Sequence, residues 1–171
     1  MNETLNTLFT RRSIRSYDAS RPVPEQALHT ILEAGAYAPS GRGTQSWRMV
    51  ALASPEMVER YRALCMKTLG VFPYYDAPII AMVFVDKAVT APVMDGSAAL
   101  ENMLLAAAAL GIGSCWIHAT SRVFATAEGA AFQRELGVPE QYACIDGCAL
   151  GYAQSEPPEP APRASGVVII R

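Results

Sequence analysis

Between Asp95 and Gly111 the chain reads DGSAALENMLLAAAALG, which predicts a helix over Gly96 to Leu110 that is apolar nearly all round. Asp95 stands where an N-cap is wanted and Gly111 where a helix stops. A helix without a polar face has to be covered on most sides, so it belongs in the middle of a domain or against another subunit. The most apolar stretch of the chain, MLLAAAALGIGSCWI from Met103 to Ile117, falls short of the roughly 18 to 20 residues a bilayer span needs. It reads as a buried helix followed by a strand.

The flanking sequence supplies layers to cover such a helix. Met1 to Thr10 is an amphipathic helix with Asn2 as its cap and Leu5, Leu8 and Phe9 on one side. Pro24 suits the first turn of a second helix, whose apolar set Leu28, Ile31, Leu32 and Gly35 makes one face and which must end near Ala38 because Pro39 follows. Ser54 and Pro55 begin a third, with Met57, Val58, Tyr61, Leu64 and Cys65 inward and Gly70 closing it. Glu128 to Leu136 is a further helix ended by Gly137. Strands are expected at Met49 to Ala53, Ile79 to Val85, Ser114 to Ile117 and Ala143 to Leu150; the second is almost continuously apolar, as a strand covered on both faces should be.

Helices and strands interleave without a regular βαβ period, and neither a GxGxxG turn nor a P-loop is present. The fold class is therefore α+β, a small mixed sheet between helices, in one domain. The 171 residues suffice to bury a core without disulfides or metals, and about half of them are apolar (51%). A net charge of −2 excludes a general pull toward nucleic acid or anionic membrane, so any anion site must be local. No leader-like pattern opens the chain, and a cytoplasmic protein is expected. Cys65, Cys115, Cys144 and Cys148 fit no CxxC metal pattern and no disulfide framework; on a regular strand Cys144 and Cys148 share a face, as inert core thiols.

The segment SEPPEPAPRASG, Ser155 to Gly166, is too proline-rich for helix or central strand, yet it ends in the strand-like VVII of Val167 to Ile170. A linker that carries a strand away from its own body suggests docking on a partner chain. An edge strand on the same subunit is the alternative.

Two stretches carry candidate chemistry. In TRRSIRSYD, Thr10 to Asp18, residues 11, 13 and 15 fall on one side of an extended segment, so Arg11 and Ser13 can grip a phosphate while Arg15 reaches further along the ligand. Alone, such a run equally fits a solvated face. The second, APSGRGTQSW from Ala38 to Trp47, is a loop with many free backbone donors and one amide side chain, Gln45.

Taken together these stretches resemble the nitroreductase family of FMN-dependent oxidoreductases. The resemblance rests on RRSIRSYDASRPVPEQALHTILEAGAYAPSGRGTQSW, on DGSAALENMLLAAAALGIGSCWI and on CIDGCALGYAQSEPPEPAPR, three blocks in the family's order that span nearly the whole chain. It implies a three-layer α+β sandwich and an interlocked homodimer with FMN at the subunit interface. The Gly96 to Leu110 helix would form the dimer core, and residues 155–171 would pack on the partner.

By the same resemblance, Arg11 and Ser13 should contact the phosphate and ribityl chain, Arg12 should add a backbone or side-chain contact, and Arg15 should sit near N1 and O2 of the flavin ring. Pro39, Ser40, Gly41 and Gln45 should reach the flavin of the opposite subunit. A backbone amide near N5 is expected from Ile117 or His118, Gly151 follows the last strand, and Arg163 should complete the phosphate site. The chain departs from the family at Gly43, where asparagine is usual, at Ser46, where proline is usual, and at His118, where glycine is frequent; a histidine there could tune protonation or substrate access. No metal is expected.

The implied activity is a ping-pong transfer in which NADH or NADPH reduces FMN and a small-molecule acceptor, a nitroaromatic or a quinone, then takes the electrons; the cofactor carries the chemistry. Two alternatives stand beside it, a flavin-dependent dehydrogenase or oxidase of a specialised pathway and a non-catalytic flavin-binding redox sensor. Only GVFPYYDAP separates the third helix from the next strand, which leaves little material for a lid. An open acceptor site lined by Phe72, Tyr74 and Tyr75 is expected.

Overall fold

A computed structural model describes residues 2–157, 159, 162–163 and 166–171. Helix α1 (Glu3–Thr10) starts where the Leu5 amide donates to Asn2 Oδ1 at 2.9 Å, yet it buries none of its residues. Helix α2 (Glu25–Ala36) follows Pro24 and buries Leu28, Ile31 and Gly35. After strand β1 (Trp47–Leu52), helix α3 (Pro55–Leu69) is capped by Ser54 and closed by Gly70 in the left-handed region. Strand β2 (Ile79–Asp86), helix α4 (Pro92–Ala109) and strand β3 (Gly113–Ile117) lead to two short helices, α5 (Ala119–Phe124) and α6 (Ala127–Glu135), and to the last strand, β4 (Tyr142–Gly151).

The sheet runs in the order β1-β2-β4-β3 with every neighbouring pair antiparallel. The mixed sheet expected from sequence has its parallel component in a single bridge, Ser13 against Ser114 on the outer edge of β3. The reason lies in the connections. The path through α3 and the loop to Pro78 starts and finishes at one end of the sheet, which turns β1 and β2 antiparallel.

Each face of the sheet has its own core, which gives the three layers. On one side Tyr61 of α3, Phe124 of α5 and Phe132 of α6 pack with Phe84, their rings 5.0 to 6.4 Å apart. On the other, Ile31 of α2 and Leu100, Met103 and Leu104 of α4 cover Val83 and Val85. Strand β2 is therefore buried on both faces, as its continuous apolar run predicts. Helix α4 lies against β4 so closely that a Cβ on Gly96 would fall 2.5 Å from the Ile145 side chain; only glycine fits that crossing.

Three expectations are corrected. Helix α4 begins at Pro92, not after Asp95: proline is well suited to a first helical position, and the Asp95 carboxylate is occupied elsewhere. Cys144 and Cys148 do not share a face, because a bulge between Val83 and Phe84 leaves Ile145 outside the paired register; Cys144 enters the Phe84 core and Cys148 the Leu100 core. Tyr74 does not line an open site, being fully buried with its hydroxyl 2.6 Å from Thr120 Oγ1. Val167 to Ile170 are largely exposed and pair with no strand of the same subunit among the described residues, so the alternative of an edge strand there is not met. Helix α5 is additional to the sequence reading, since ATSRVF carries no apolar period to announce it.

All four cysteines are free and buried. Burial pushes the Cys65 thiol up to about 11 and Cys148 to about 12, and raises Cys115 and Cys144 as well. Native protein at about pH 8 should thus leave a thiol reagent such as DTNB unreacted, and denatured protein should consume one equivalent per cysteine. Unfolded thiols ionise near 8.5, so stability is held in full below that value and falls as pH rises from about 9 toward 12, where the unfolded chain has released protons that the native one retains. A thermal midpoint that stays level across that interval would contradict the burial of these thiols.

Candidate functional site

The basic stretch becomes a site because of where α1 stops. Arg11 ends the helix with extended dihedrals, and the chain runs on beside the free edge of β3, the Ile14 amide donating to the Ser114 carbonyl at 2.9 Å. Alternation then turns Ile14 onto the core and leaves Arg11, Ser13 and Arg15 together on the other side. Gly113 is required for the close approach, since a Cβ there would meet Ile14 and the Gly151 carbonyl at 2.9 Å.

The three arginines have separate surroundings. Arg11 Nε lies 3.8 Å from Glu101 Oε1 of α4, a loose pairing that leaves its fork available. Arg12 turns back, its Nη1 donating to the carbonyls of Phe9 at 3.0 Å and Arg11 at 2.7 Å, so part of its guanidinium caps the end of α1. Arg15 lies toward Tyr75, with its guanidinium 5.9 Å from the ring centre. Interaction with the Tyr75 hydroxyl, followed by the charge environment of Cys115, raises the Arg15 pKa above the ordinary arginine value. Of the aromatic trio expected at the acceptor site, Tyr75 alone stands beside this segment. Tyr75 and Asp76 both hold left-handed backbone (φ 55° and 56°), and the ion pair of Asp76 with Arg62 at 2.8 Å helps to keep them there.

The Pro39 to Gln45 loop is fixed rather than loose. Its Gly41 amide donates to Asp95 Oδ1 at 2.9 Å, its Gln45 amide to Ser40 Oγ at 3.0 Å, and Gly41 to Gly43 make a short 3₁₀ turn. Asp95 is buried in the first turn of α4, with its second oxygen unpartnered among the described residues. No hydrogen bond or ion pair among the described residues joins this loop to the Arg11 to Arg15 segment. Helix α4 connects them, holding the loop through Asp95 and facing Arg11 through Glu101.

At the far end of β3, Ile117 is buried in the core and His118 projects outward, its Nδ1 2.9 Å from Asp146 Oδ2. The same oxygen accepts from Trp116 Nε1 at 2.8 Å. Gly151 does not reach the surface with the arginines: it pairs with Gly113 and a Cβ on it would strike Pro78 and Tyr17. Arg163 is exposed, and no contact among the described residues ties it to Arg11. Asp95 as loop anchor and Asp146 as histidine partner are additions. A lone acidic residue inside the apolar run ACIDGCALG was the available signal for the second.

The donors fit a flavin mononucleotide. A guanidinium fork, a hydroxyl and a second cation spaced along one strand edge suit a phosphate at one end and a ring that gains negative charge at the other. The neighbouring Ser114 Oγ is buried without a partner among the described residues.

The family model described as nitroreductase family matches residues 8–78 and 72–152. A protein of Archaeoglobus fulgidus, named as a candidate NADH dehydrogenase/NAD(P)H nitroreductase, is 35% identical over 162 residues, covering 91% of this chain and 88% of the relative. Two crystal structures match along their whole lengths, 100% of either chain: a nitroreductase with bound FMN from Bacteroides fragilis, 34% identical with a TM-score of 0.87, and another from Desulfitobacterium hafniense, 27% identical with a TM-score of 0.89.

Proposed function

Because this chain belongs to the nitroreductase family, we propose that it is an FMN-dependent oxidoreductase, which accepts electrons from NADH or NADPH and passes them to a small molecule such as a quinone or nitroaromatic compound in ping-pong fashion. The observation that carries the reading is the row Arg11, Ser13 and Arg15 along the edge of β3, inside a chain that matches the family from residue 8 to residue 152.

When bound, FMN supplies two-electron hydride chemistry that no side chain here could replace. The protein's share is binding and electrostatics. Arg11 and Ser13, with Arg163 brought in by the C-terminal segment, would hold the phosphate; the Arg12 backbone would add a contact. Arg15 would sit near N1 and O2, where a fixed cation favours the charge that reduction leaves. Backbone at Ile117 and His118 would face N5. Pro39, Ser40, Gly41 and Gln45 would serve the site of the partner subunit.

That last assignment rests on a homodimer, which an exposed apolar surface supports. Leu5, Leu8 and Phe9 of α1, Tyr37, Val93 and Met94 of α4, and Leu110 just after it are uncovered, as are Val167 to Ile170. The C-terminal residues would cross to the partner, where a packed segment would hide both faces.

Purified protein incubated with FMN and desalted should keep a flavin spectrum, and anaerobic NADH or NADPH should bleach it. A colourless protein that takes up no FMN would overturn the assignment. A yellow protein that neither nucleotide reduces would shift the reading to a flavin dehydrogenase, oxidase or sensor.

A further inference from the structure

Asp146 is an expensive residue for its position. It lies in the middle of β4 and is 4% exposed, and one of its oxygens has no partner among the described residues. A buried carboxylate costs several kcal/mol unless it is compensated. Its compensation here comes through a single oxygen, Oδ2, which accepts from the Trp116 indole at 2.8 Å and from His118 at 2.9 Å. An indole alone would be served by any neutral acceptor. An anion is explained by the imidazole.

An ionised carboxylate can only accept, so the bond makes His118 Nδ1 the donor and leaves Nε2 as the ring's free nitrogen. The side chain of His118 is 85% exposed, while its anchor is buried. A histidine oriented through one nitrogen by a carboxylate and open at the other is equipped to move a proton. Its place along the fold is consistent with that. His118 follows β3 four residues beyond the Ser114 bridge to Ser13, roughly 13 Å at strand spacing. The parallel direction of the basic segment carries Arg15 toward the same end.

Resting on the flavin reading above, we infer that His118, positioned by Asp146, donates the proton that a two-electron acceptor must take up as it is reduced. For a quinone, hydride from the reduced flavin brings two electrons and one proton to one oxygen, which leaves the other as a phenolate. That oxygen forms its O–H bond with the proton on Nε2 of the His118 imidazolium, whose N–H bond breaks. The neutral ring then recovers a proton from water. Asp146 touches neither reactant; it holds the ring and offsets the imidazolium charge.

The test compares two acceptors on FMN-loaded, nucleotide-reduced enzyme. Benzoquinone needs protons, whereas ferricyanide takes electrons only. In His118→Gln the ratio of the benzoquinone rate to the ferricyanide rate should fall at least tenfold, and in Asp146→Asn it should fall by a smaller factor. Cofactor-free wild-type protein supplies an independent readout: nitrogen NMR should show the neutral His118 ring protonated at Nδ1, a preference lost in Asp146→Asn. Equal slowing with both acceptors, an unchanged ratio, or a ring protonated at Nε2 would overturn the inference. A wild type that binds no FMN removes the flavin reading and this one with it. A yellow, reducible wild type whose ratio ignores His118 removes the proton donor alone.

Discussion

Arg11→Ala is expected to weaken FMN binding by about one to two orders of magnitude, while Arg15→Ala lowers the flavin reduction potential and slows reduction by NADH or NADPH with a smaller loss of affinity. The two arginines stand four residues apart on one side of an extended segment, with Ser13 between them, so they meet different parts of an elongated ligand. A hydrogen bond to a charged group contributes about 1.5–3 kcal/mol, which is about ten- to more than a hundredfold in a dissociation constant. Arg11, paired only loosely with Glu101 at 3.8 Å, can give its fork to a phosphate. Arg15 is held toward Tyr75 instead, and a fixed cation near a ring acts on the charge that reduction adds. FMN titration by fluorescence quenching and a dye-coupled potential measurement separate the two effects. Equal losses of affinity with no change in potential would mean that both arginines serve the phosphate.

Asp95→Ala should be the second severe change, lowering both stability and FMN retention, whereas Asp95→Asn should keep most of each. Asp95 joins the buried face of α4 to the Gly41 amide at 2.9 Å. Truncation leaves that amide without its acceptor and opens a gap beneath the loop, at a cost of about 1.5–3 kcal/mol for a bond to a charged partner. Asparagine still offers an oxygen in the same place. Thermal unfolding of the cofactor-free protein reads the packing, and FMN titration reads the loop. An alanine variant with native stability and native affinity would show that the loop holds its shape without the carboxylate.

Asp95 also marks where sequence reasoning reaches its limit. Its position ahead of an apolar run is that of a cap, and local pattern contains nothing to say that a loop fifty-four residues earlier competes for the same oxygen. The long helix itself, β2 and the helix capped by Ser54 were legible because their signals are local: period, cap and breaker. The bulge in β4 was not, since the extra residue is defined only against its partner strand. In the site, alternation placed Arg11, Ser13 and Arg15 on one side, and the bridge to Ser114 now accounts for that geometry. The turning back of Arg12 and the burial of Gly151 and Tyr74 depend on tertiary neighbours that no single stretch announces.

The bulge at Ile145 divides β4 into two cassettes. Cys144 and the residues before it pair with the end of β2 that closes the aromatic core, while Asp146 and those after it pair with the other end and carry the histidine's anchor. A strand of unbroken pleat would couple the two, because a shift by one residue flips every side chain. With the phase already interrupted, the two halves of β4 can be varied separately. A substitution at Cys144 can therefore alter the packing around Phe84 without turning Asp146 away from His118.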